Sequence, residues 1–225
     1  MARPRKRIRR ARRLRRSPEQ ARQELLDAAE RVFGDYYPDQ VGLKEIAREA
    51  GVSHALVTHY FGTYAGLVEA TLERRIRALR EDIIFKLRIA GAISRPGELL
   101  GMLFEALRDP VHLKLVKWLV ASDRMQTARA FAFQDQGLQL IAKEVANAVI
   151  GKPERDTIAT IEVALLAAVS AAYGYALNKY ALAAALGRVA SIDLDDDVQK
   201  ALAGMLQAFL KEQLGPAFSR AIARG

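Results

Sequence analysis

The chain has 225 residues and no cysteine, which excludes disulfide bonds, thiolate metal sites and a cysteine nucleophile. Its hydrophobic share of 51% is enough for one large or two small domains with a substantial core. The lack of cysteine fits a reducing compartment, and we expect a cytoplasmic protein.

The net charge of +9 is concentrated at the N-terminus. Residues 1–16 carry ten basic side chains and no acid, so residues 17–225 have a net charge of −1. Such a segment has too few apolar residues to bury, and we expect a disordered Arg-rich arm over residues 1–16. It could be a solubilising tail or bind an anionic membrane surface, but we favour DNA phosphates, with Arg3 and Arg5 reaching the minor groove.

The first helix is predicted from Ser17 to about Phe33. Ser17 is a favoured cap residue, Pro18 suits the first turn, and Gln20 completes a capping box. Residues 34–40 are predicted to be a connector.

Residues 43–62 predict two short helices joined by a tight turn. Ile46, Ala47 and Ala50 have the spacing of one buried helix face, and Gly51 provides the positive φ of the turn. Ser53 is expected to cap the second helix. Its inward positions are then Val57, Tyr60 and Phe61, while the polar positions Ser53, His54, Thr58 and His59 point outward together with the small Ala55. The pattern favours a DNA-reading helix-turn-helix over an ordinary helical hairpin.

The remaining residues predict further helices and no convincing strand. A long charged-faced helix starts at Thr63 and continues to about residue 89, and shorter helices follow near 96–108, 110–122 and 127–150. Residues 163–186 form the least polar stretch, with Lys179 as its only charge. We expect a helix buried by its own core and by a partner subunit rather than a membrane span.

Four acids at residues 193–197 precede the last helix. They favour helix capping over metal binding. An apolar stripe then runs from Val198 to Leu210, and Gly215-Pro216 is expected to end the helix.

Residues 17–70 resemble the DNA-binding domain of the TetR family of transcriptional regulators. Three groups of residues carry the resemblance: Leu25, Ala28, Ala29 and Phe33; the run from Ile46 to Ser53; and Tyr60, Phe61, Gly62, Thr63 and Leu67. The chain departs from the family at six positions, which are Gly42, His54, Ala55, Thr58, Tyr64 and Ala65. These departures imply an unusual operator sequence.

The resemblance implies an all-α protein. An N-terminal three-helix helix-turn-helix DNA-binding domain (17–62) would precede a larger C-terminal helical domain (63–225) for ligand binding and dimerisation. It implies a homodimer on a palindromic double-stranded DNA operator, with recognition helices 34–36 Å apart. The last two long helices would form a four-helix interface. A small-molecule effector, unidentified by the sequence, would release the repressor from DNA by a population shift.

Candidate DNA contacts follow from this arrangement. On the recognition helix they are Ser53, His54, Ala55, Thr58, His59 and Tyr60. At the next helix, Thr63 would present free N–H groups to a phosphate, and Tyr64 would donate its hydroxyl there.

Apolar side chains with a few polar tips are candidates for an effector pocket, with plain core packing as the alternative. They are Met102, Phe104, Trp118, Phe131, Phe133 and Tyr173. We expect no cofactor and no bound metal.

Two other functions remain open: a ligand-independent architectural DNA-binding protein and an all-helical enzyme. The chain has three histidines, and the spacing of His54 and His59 does not suit metal binding on one helix face. His112 is expected to be a partly buried core residue rather than a base, and no nucleophile motif or phosphate-binding loop is recognisable. We therefore expect that the protein is not an enzyme.

Overall fold

A computed structural model describes residues 17–90, 96–124 and 137–222. Within these ranges the regular structure is helical, without a strand. The helices are α1 (Pro18–Asp35), α2 (Leu43–Glu49), α3 (His54–Phe61), α4 (Tyr64–Ala90), α5 (Pro96–Arg108), α6 (Pro110–Ala121), α7 (Gly137–Ile150), α8 (Arg155–Ala185) and α9 (Ile192–Ile222), with a 3-10 turn at Pro38–Gln40. Arg3, Arg5, Phe131 and Phe133 lie outside the described residues.

The helix starts follow the capping signals of the sequence. The Ser17 hydroxyl accepts from the Gln20 N–H at 3.1 Å, and the Gln20 side chain accepts from the Ser17 N–H at 3.0 Å. The carboxylate of Asp109 caps α6 by accepting from the N–H groups of Val111 and His112. Each contact satisfies backbone donors that a helix start leaves free.

The core of the N-terminal domain includes residues from far along the chain. Helix α1 packs against α2, α4 and α6, and α3 packs against α2 and α4. Leu115, Val116 and Leu119 of α6 are buried in the same cluster as Leu26 and Val57. The domain boundary predicted between residues 62 and 63 is therefore not a break in packing.

The rest of the molecule is built around two further apolar clusters. One lies between the second half of α4 and helices α7, α8 and α9, and includes Leu87, Ile141 and Ile161. The other joins α5 to α8 and α9 through Phe104, Leu107 and Ala172.

The helical path of α9 is interrupted at the predicted place. Gly215, with φ 61° and ψ −140°, ends the first part of α9, and a second short helical segment then continues to Ile222. Phe218, beyond the kink, is buried in the α4–α7–α8–α9 cluster. Burial of this ring stabilises the extra segment.

The charged face predicted for α4 is only partly solvated. Arg74 contacts Asp27 and Glu30 on α1 at 2.6 and 2.8 Å. Arg75 contacts Glu30 at 3.1 Å and also pairs with Asp109 at the start of α6. These two arginines join α4 to its neighbours because the acids of α1 and α6 lie opposite them.

Asp193 and Asp195 lie in the first turn of α9, where the helix dipole favours negative charge as predicted. Asp195, Asp196 and Asp197 also form ion pairs. Ser191 caps α9 by accepting from the Leu194 N–H, whereas Asp195 is buried. Its carboxylate accepts from the Tyr175 hydroxyl at 2.8 Å and from the Lys179 ammonium at 3.0 Å. A buried carboxylate requires such partners, which accounts for the single charge in the apolar stretch.

Helix α8 is long and apolar enough, by length and composition alone, to cross a membrane. One of its sides packs into the core through Ile161, Ala164 and Ala168. Its other side leaves large apolar groups in solvent, among them Leu166 at 58% exposure. Among the described residues, the packing partners of this helix therefore lie on one side of it.

Candidate nucleic-acid interface

Helix α3 is anchored to the N-terminal core by its apolar positions. Val57 is fully buried, and Tyr60 and Phe61 are half-buried against the same cluster. Gly51, with φ 65°, makes the turn before it. Ser53 caps the helix by accepting from the Leu56 N–H at 3.3 Å. The inward positions and the cap are those predicted from the sequence.

The outward side of α3 presents the polar residues. Ser53, His54, Ala55 and His59 are exposed, and Thr58 is half-buried. The Thr58 hydroxyl donates to the backbone carbonyl of His54 at 3.2 Å. A base edge would therefore meet the methyl group and lone pairs of Thr58, while its hydroxyl proton is already engaged.

A tight turn connects α3 to α4. Gly62 has φ 70°, and the Thr63 hydroxyl accepts from the Gly66 N–H at 3.0 Å. At Gly66 a Cβ atom would lie 2.3 Å from the carbonyl oxygen of Phe61, so only glycine fits against the end of the recognition helix. This close approach sets the start of α4 directly beside α3.

Tyr64 corrects the predicted phosphate contact. Its hydroxyl donates to the Pro38 carbonyl oxygen at 2.5 Å. Its ring packs edge-on between Phe33 and Trp118, at centroid distances of 6.4 and 5.7 Å. Burial raises the pKa of this phenol, so the hydroxyl stays protonated and bound to the carbonyl.

A cation that the sequence pattern did not reveal lies beside the recognition helix. The guanidinium of Arg22 on α1 lies 5.5 Å from the ring centroid of Phe61, the last residue of α3. Lys44 and Arg48 of α2 are exposed on the same domain. The sequence did contain a hint that Arg22 lies near the core of the domain. Arg22 is three residues before the buried Leu25, and residues three apart lie on the same face of a helix.

The four candidate pocket residues that the structure describes are distributed over three apolar clusters. Met102 borders the α4–α7–α8–α9 cluster, Phe104 belongs to the α5–α8–α9 cluster, and Trp118 packs on the N-terminal core. Tyr173 borders both the N-terminal core and the α5–α8–α9 cluster. Apolar character placed these side chains in the interior but did not specify which cluster each one joins.

His112 is a core residue at the contact between α6 and α8. It is 3% exposed, and its Nε2 lies 2.8 Å from the Tyr173 hydroxyl. Burial, with the nearby charge of Arg75, lowers the pKa of His112 to about 4. A neutral, hydrogen-bonded histidine is the expected form in such a place. Among residues 17–90, 96–124 and 137–222 no group of three or more His, Asp or Glu is arranged to hold a metal ion.

Two helices joined by a glycine turn, with the second anchored inside and polar outside, define a helix-turn-helix domain of the kind that reads DNA. Residues 25–71 match the sequence profile of the bacterial regulatory proteins of the tetR family. The N-terminal domain of this chain is therefore similar in sequence to the DNA-binding domain of that family.

Relatives in sequence are regulators that share mainly this domain. The HTH-type transcriptional regulator BetI of Rhizobium meliloti (strain 1021) is 45% identical over 69 residues, which cover 31% of this chain and 34% of the relative. BetI of Cronobacter sakazakii is 34% identical over 100 residues, covering 44% and 50% of the two chains. The chain thus spans between a third and a half of the length of these relatives.

Solved structures share the whole fold at low sequence identity. A TetR-family transcriptional regulator from Streptomyces coelicolor gives a TM-score of 0.57 at 21% identity, over 92% of this chain and 90% of that one. A protein from Mesorhizobium loti MAFF303099, assigned to the same family, gives 0.60 at 19% identity, over 85% and 96%. The all-α architecture, with a helix-turn-helix domain followed by a larger helical domain, is therefore that of TetR-family structures.

Proposed function

We propose that the protein is a sequence-specific DNA-binding transcriptional regulator that acts as a repressor in the cytoplasm. The observation that carries this proposal is the presentation of α3. One fully buried side chain, Val57, anchors the helix, while His54, Ala55 and His59 are exposed on it. A helix held this way can enter the major groove without losing its core contacts.

Base and phosphate contacts would come from different parts of the domain. The outward residues of α3 would meet base edges, with the Thr58 methyl available to a thymine. The N–H groups of Tyr64 and Ala65 in the first turn of α4 would meet a phosphate, because the Thr63 N–H already donates to the Phe61 carbonyl and the Gly66 N–H to the Thr63 hydroxyl. Arg22, Lys44 and the Arg-rich arm, with Arg3 and Arg5, would add sequence-independent attraction.

The proposal includes a homodimer on a palindromic operator, and the exposed apolar groups of the last two helices support the dimer. Leu166 on α8 and Met205 on α9 are 58% and 68% exposed, and Phe209 on α9 is exposed as well. A second copy that covers these groups would remove the apolar surface from water and pair the recognition helices about one turn of DNA apart. Within the single chain, Val169 on α8 and Leu206 on α9 are half-buried against the α5–α8–α9 cluster.

The test of DNA binding begins with selection of bound duplexes from a randomised pool, followed by fluorescence anisotropy on the enriched sequence. We expect a two-fold symmetric consensus that binds at least about a thousandfold more tightly than random DNA. His59→Ala should lower the affinity for the consensus, whereas Lys143→Ala, at an exposed position of α7, should not. A pool without enrichment after repeated rounds contradicts the proposal.

Release by a small-molecule effector is the finer part of the proposal. A DNA-binding isotherm recorded with and without a fraction of cell metabolites separates a ligand-controlled repressor from an architectural DNA-binding protein. We expect a fraction that weakens binding to the selected duplex, because an effector must favour the DNA-free state. Unchanged isotherms with every fraction favour the architectural function.

A further inference from the structure

The carbonyls of Phe33 and Gly34 at the C-terminal end of α1 lack the N–H donors that a continued helix would supply. A continued helix would direct the Tyr37 N–H at the Phe33 carbonyl, but that N–H donates to the Gln40 side chain at 2.9 Å. The donor for the Gly34 carbonyl would come from residue 38, which is proline and has no N–H. The end of α1 therefore needs a donor from elsewhere.

Lys114 of α6 provides that donor. Its ammonium donates to the Phe33 carbonyl at 3.1 Å and to the Gly34 carbonyl at 2.9 Å, from 81 and 80 residues along the chain. It also lies 5.0 Å from the ring centroid of Tyr37. The last turn of α1 contains no basic residue of its own. A cation here complements the negative end of the helix dipole as well as the free carbonyls.

The segment held by Lys114 continues into the contacts that position the recognition helix. Four residues past Gly34, the Pro38 carbonyl accepts from the Tyr64 hydroxyl. Tyr64 is the first residue of α4, two residues after the Gly62 turn that ends α3. The α1–α2 connection is thus bonded to α6 at Gly34 and to the start of α4 at Pro38.

We propose that Lys114 is a positioning residue for DNA binding, which holds the helix-turn-helix in its binding orientation by closing the end of α1 from α6. The proposal rests on the proposed DNA-binding function. Lys114 contacts no base or phosphate in this role. It acts through the orientation of the α1–α2 connection, so it matters more for a selected operator than for random DNA.

Lys114→Met keeps the aliphatic stem and removes the charge and the donors, and Lys114→Arg restores both. Lys117→Met is a matched control, because Lys117 is exposed on the same helix. The probe is the duplex selected with the wild-type protein, beside a random duplex of equal length. Stoichiometric titration gives the active fraction, so that a loss of folded protein is not read as a loss of affinity.

We expect Lys114→Met to weaken binding to the selected duplex by about fivefold or more, with a smaller effect on random DNA. Its slope of log affinity against log salt should stay that of the wild type, since the phosphate contacts are unchanged. Lys114→Arg should recover most of the affinity, and Lys117→Met should match the wild type. Amide hydrogen exchange at the end of α1 should accelerate in Lys114→Met alone.

Four results would overturn the proposal: unchanged affinity in Lys114→Met, a salt slope reduced by about 0.9, equal losses on selected and random duplexes, or no recovery with Lys114→Arg. Failure of the proposed DNA-binding function can be told apart from failure of this proposal, because in the first case the wild-type protein would select no duplex. The hydrogen-exchange comparison needs no DNA and still tests the contact between Lys114 and α1 in that case. Unchanged exchange in Lys114→Met overturns the proposal too.

Discussion

The Tyr64 hydroxyl donates a hydrogen bond to the Pro38 carbonyl oxygen at 2.5 Å, and so ties the first residue of α4 to the connection that precedes the helix-turn-helix. Tyr64→Phe leaves this half-buried carbonyl without its donor. We expect the free energy of unfolding to fall by about 1 kcal/mol. The salt slope of DNA binding should not change, because the hydroxyl does not face a phosphate.

Chemical denaturation and salt-dependent anisotropy measure the two effects of Tyr64→Phe. Tyr36→Phe is the control, because the Tyr36 side chain is exposed. Its free energy of unfolding should stay within about 0.5 kcal/mol of the wild type. A smaller salt slope in Tyr64→Phe would restore the phosphate contact that the sequence suggested.

Thr58 is expected to read DNA through its methyl group, since its hydroxyl donates to the His54 carbonyl. Thr58→Val keeps a methyl group at that place and should return the same consensus in a selection experiment. Thr58→Ala removes it and should relax one base position, at a cost of about 1 kcal/mol or more in discrimination. If Thr58→Val and Thr58→Ala lose the base preference to the same extent, the hydroxyl rather than the methyl group reads the base.

Met205 on α9 is expected to lie in the dimer interface, because its side chain is 68% exposed on an apolar surface of the single chain. Met205→Glu should shift the protein from dimer to monomer in sedimentation at micromolar concentration, without a change in helicity. Phe85→Glu is the control, a similarly exposed apolar residue on α4. If the wild-type protein sediments as a monomer under the same conditions, the proposed dimer interface is wrong.

His112 should make stability fall as the pH is lowered. The pKa of His112 is about 4 in the folded protein, below its ordinary value of 6.5, so the unfolded chain binds the proton first. The stabilising effect of the neutral ring is fully present above pH 6.5 and is lost as the pH falls toward 4. At pH 5 the linkage amounts to about 2 kcal/mol.

The measurement for His112 is urea denaturation at pH 7 and pH 5. His112→Gln keeps a hydrogen-bonding group for Tyr173 but does not titrate, so it should lose about 2 kcal/mol less than the wild type over this interval. His59→Gln, at an exposed position, is the control. Parallel losses in the wild type and His112→Gln would show that the ring is not the source of the pH dependence.

The Arg-rich arm should supply much of the affinity for any DNA, since residues 1–16 carry ten positive charges. Deleting residues 1–16 should flatten the plot of log affinity against log salt by about 0.9 for each phosphate that the arm neutralises in the full-length protein. The selected consensus should survive, because the recognition helix is intact. An unchanged slope and affinity would make the arm a solvated tail.

The sequence alone was sufficient for the helices and the helix-turn-helix, since these depend on local signals. Ser17 and Ser53 cap their helices as predicted, Gly51 has the positive φ of the turn, and Val57 is buried. Capping, turn conformation and amphipathic spacing each act over a few residues, and the sequence displays those few residues together.

Tertiary structure decided the partners of groups that are distant in the chain. Lys114 meets the end of α1, Asp195 pairs with Lys179, and the Tyr64 hydroxyl binds the Pro38 carbonyl. Each of these pairs joins two separate elements, and their meeting depends on how the helices pack rather than on local spacing. The same limit applies to the pocket candidates. The apolar character of a side chain predicts that it is buried, but only the fold decides which cluster it joins.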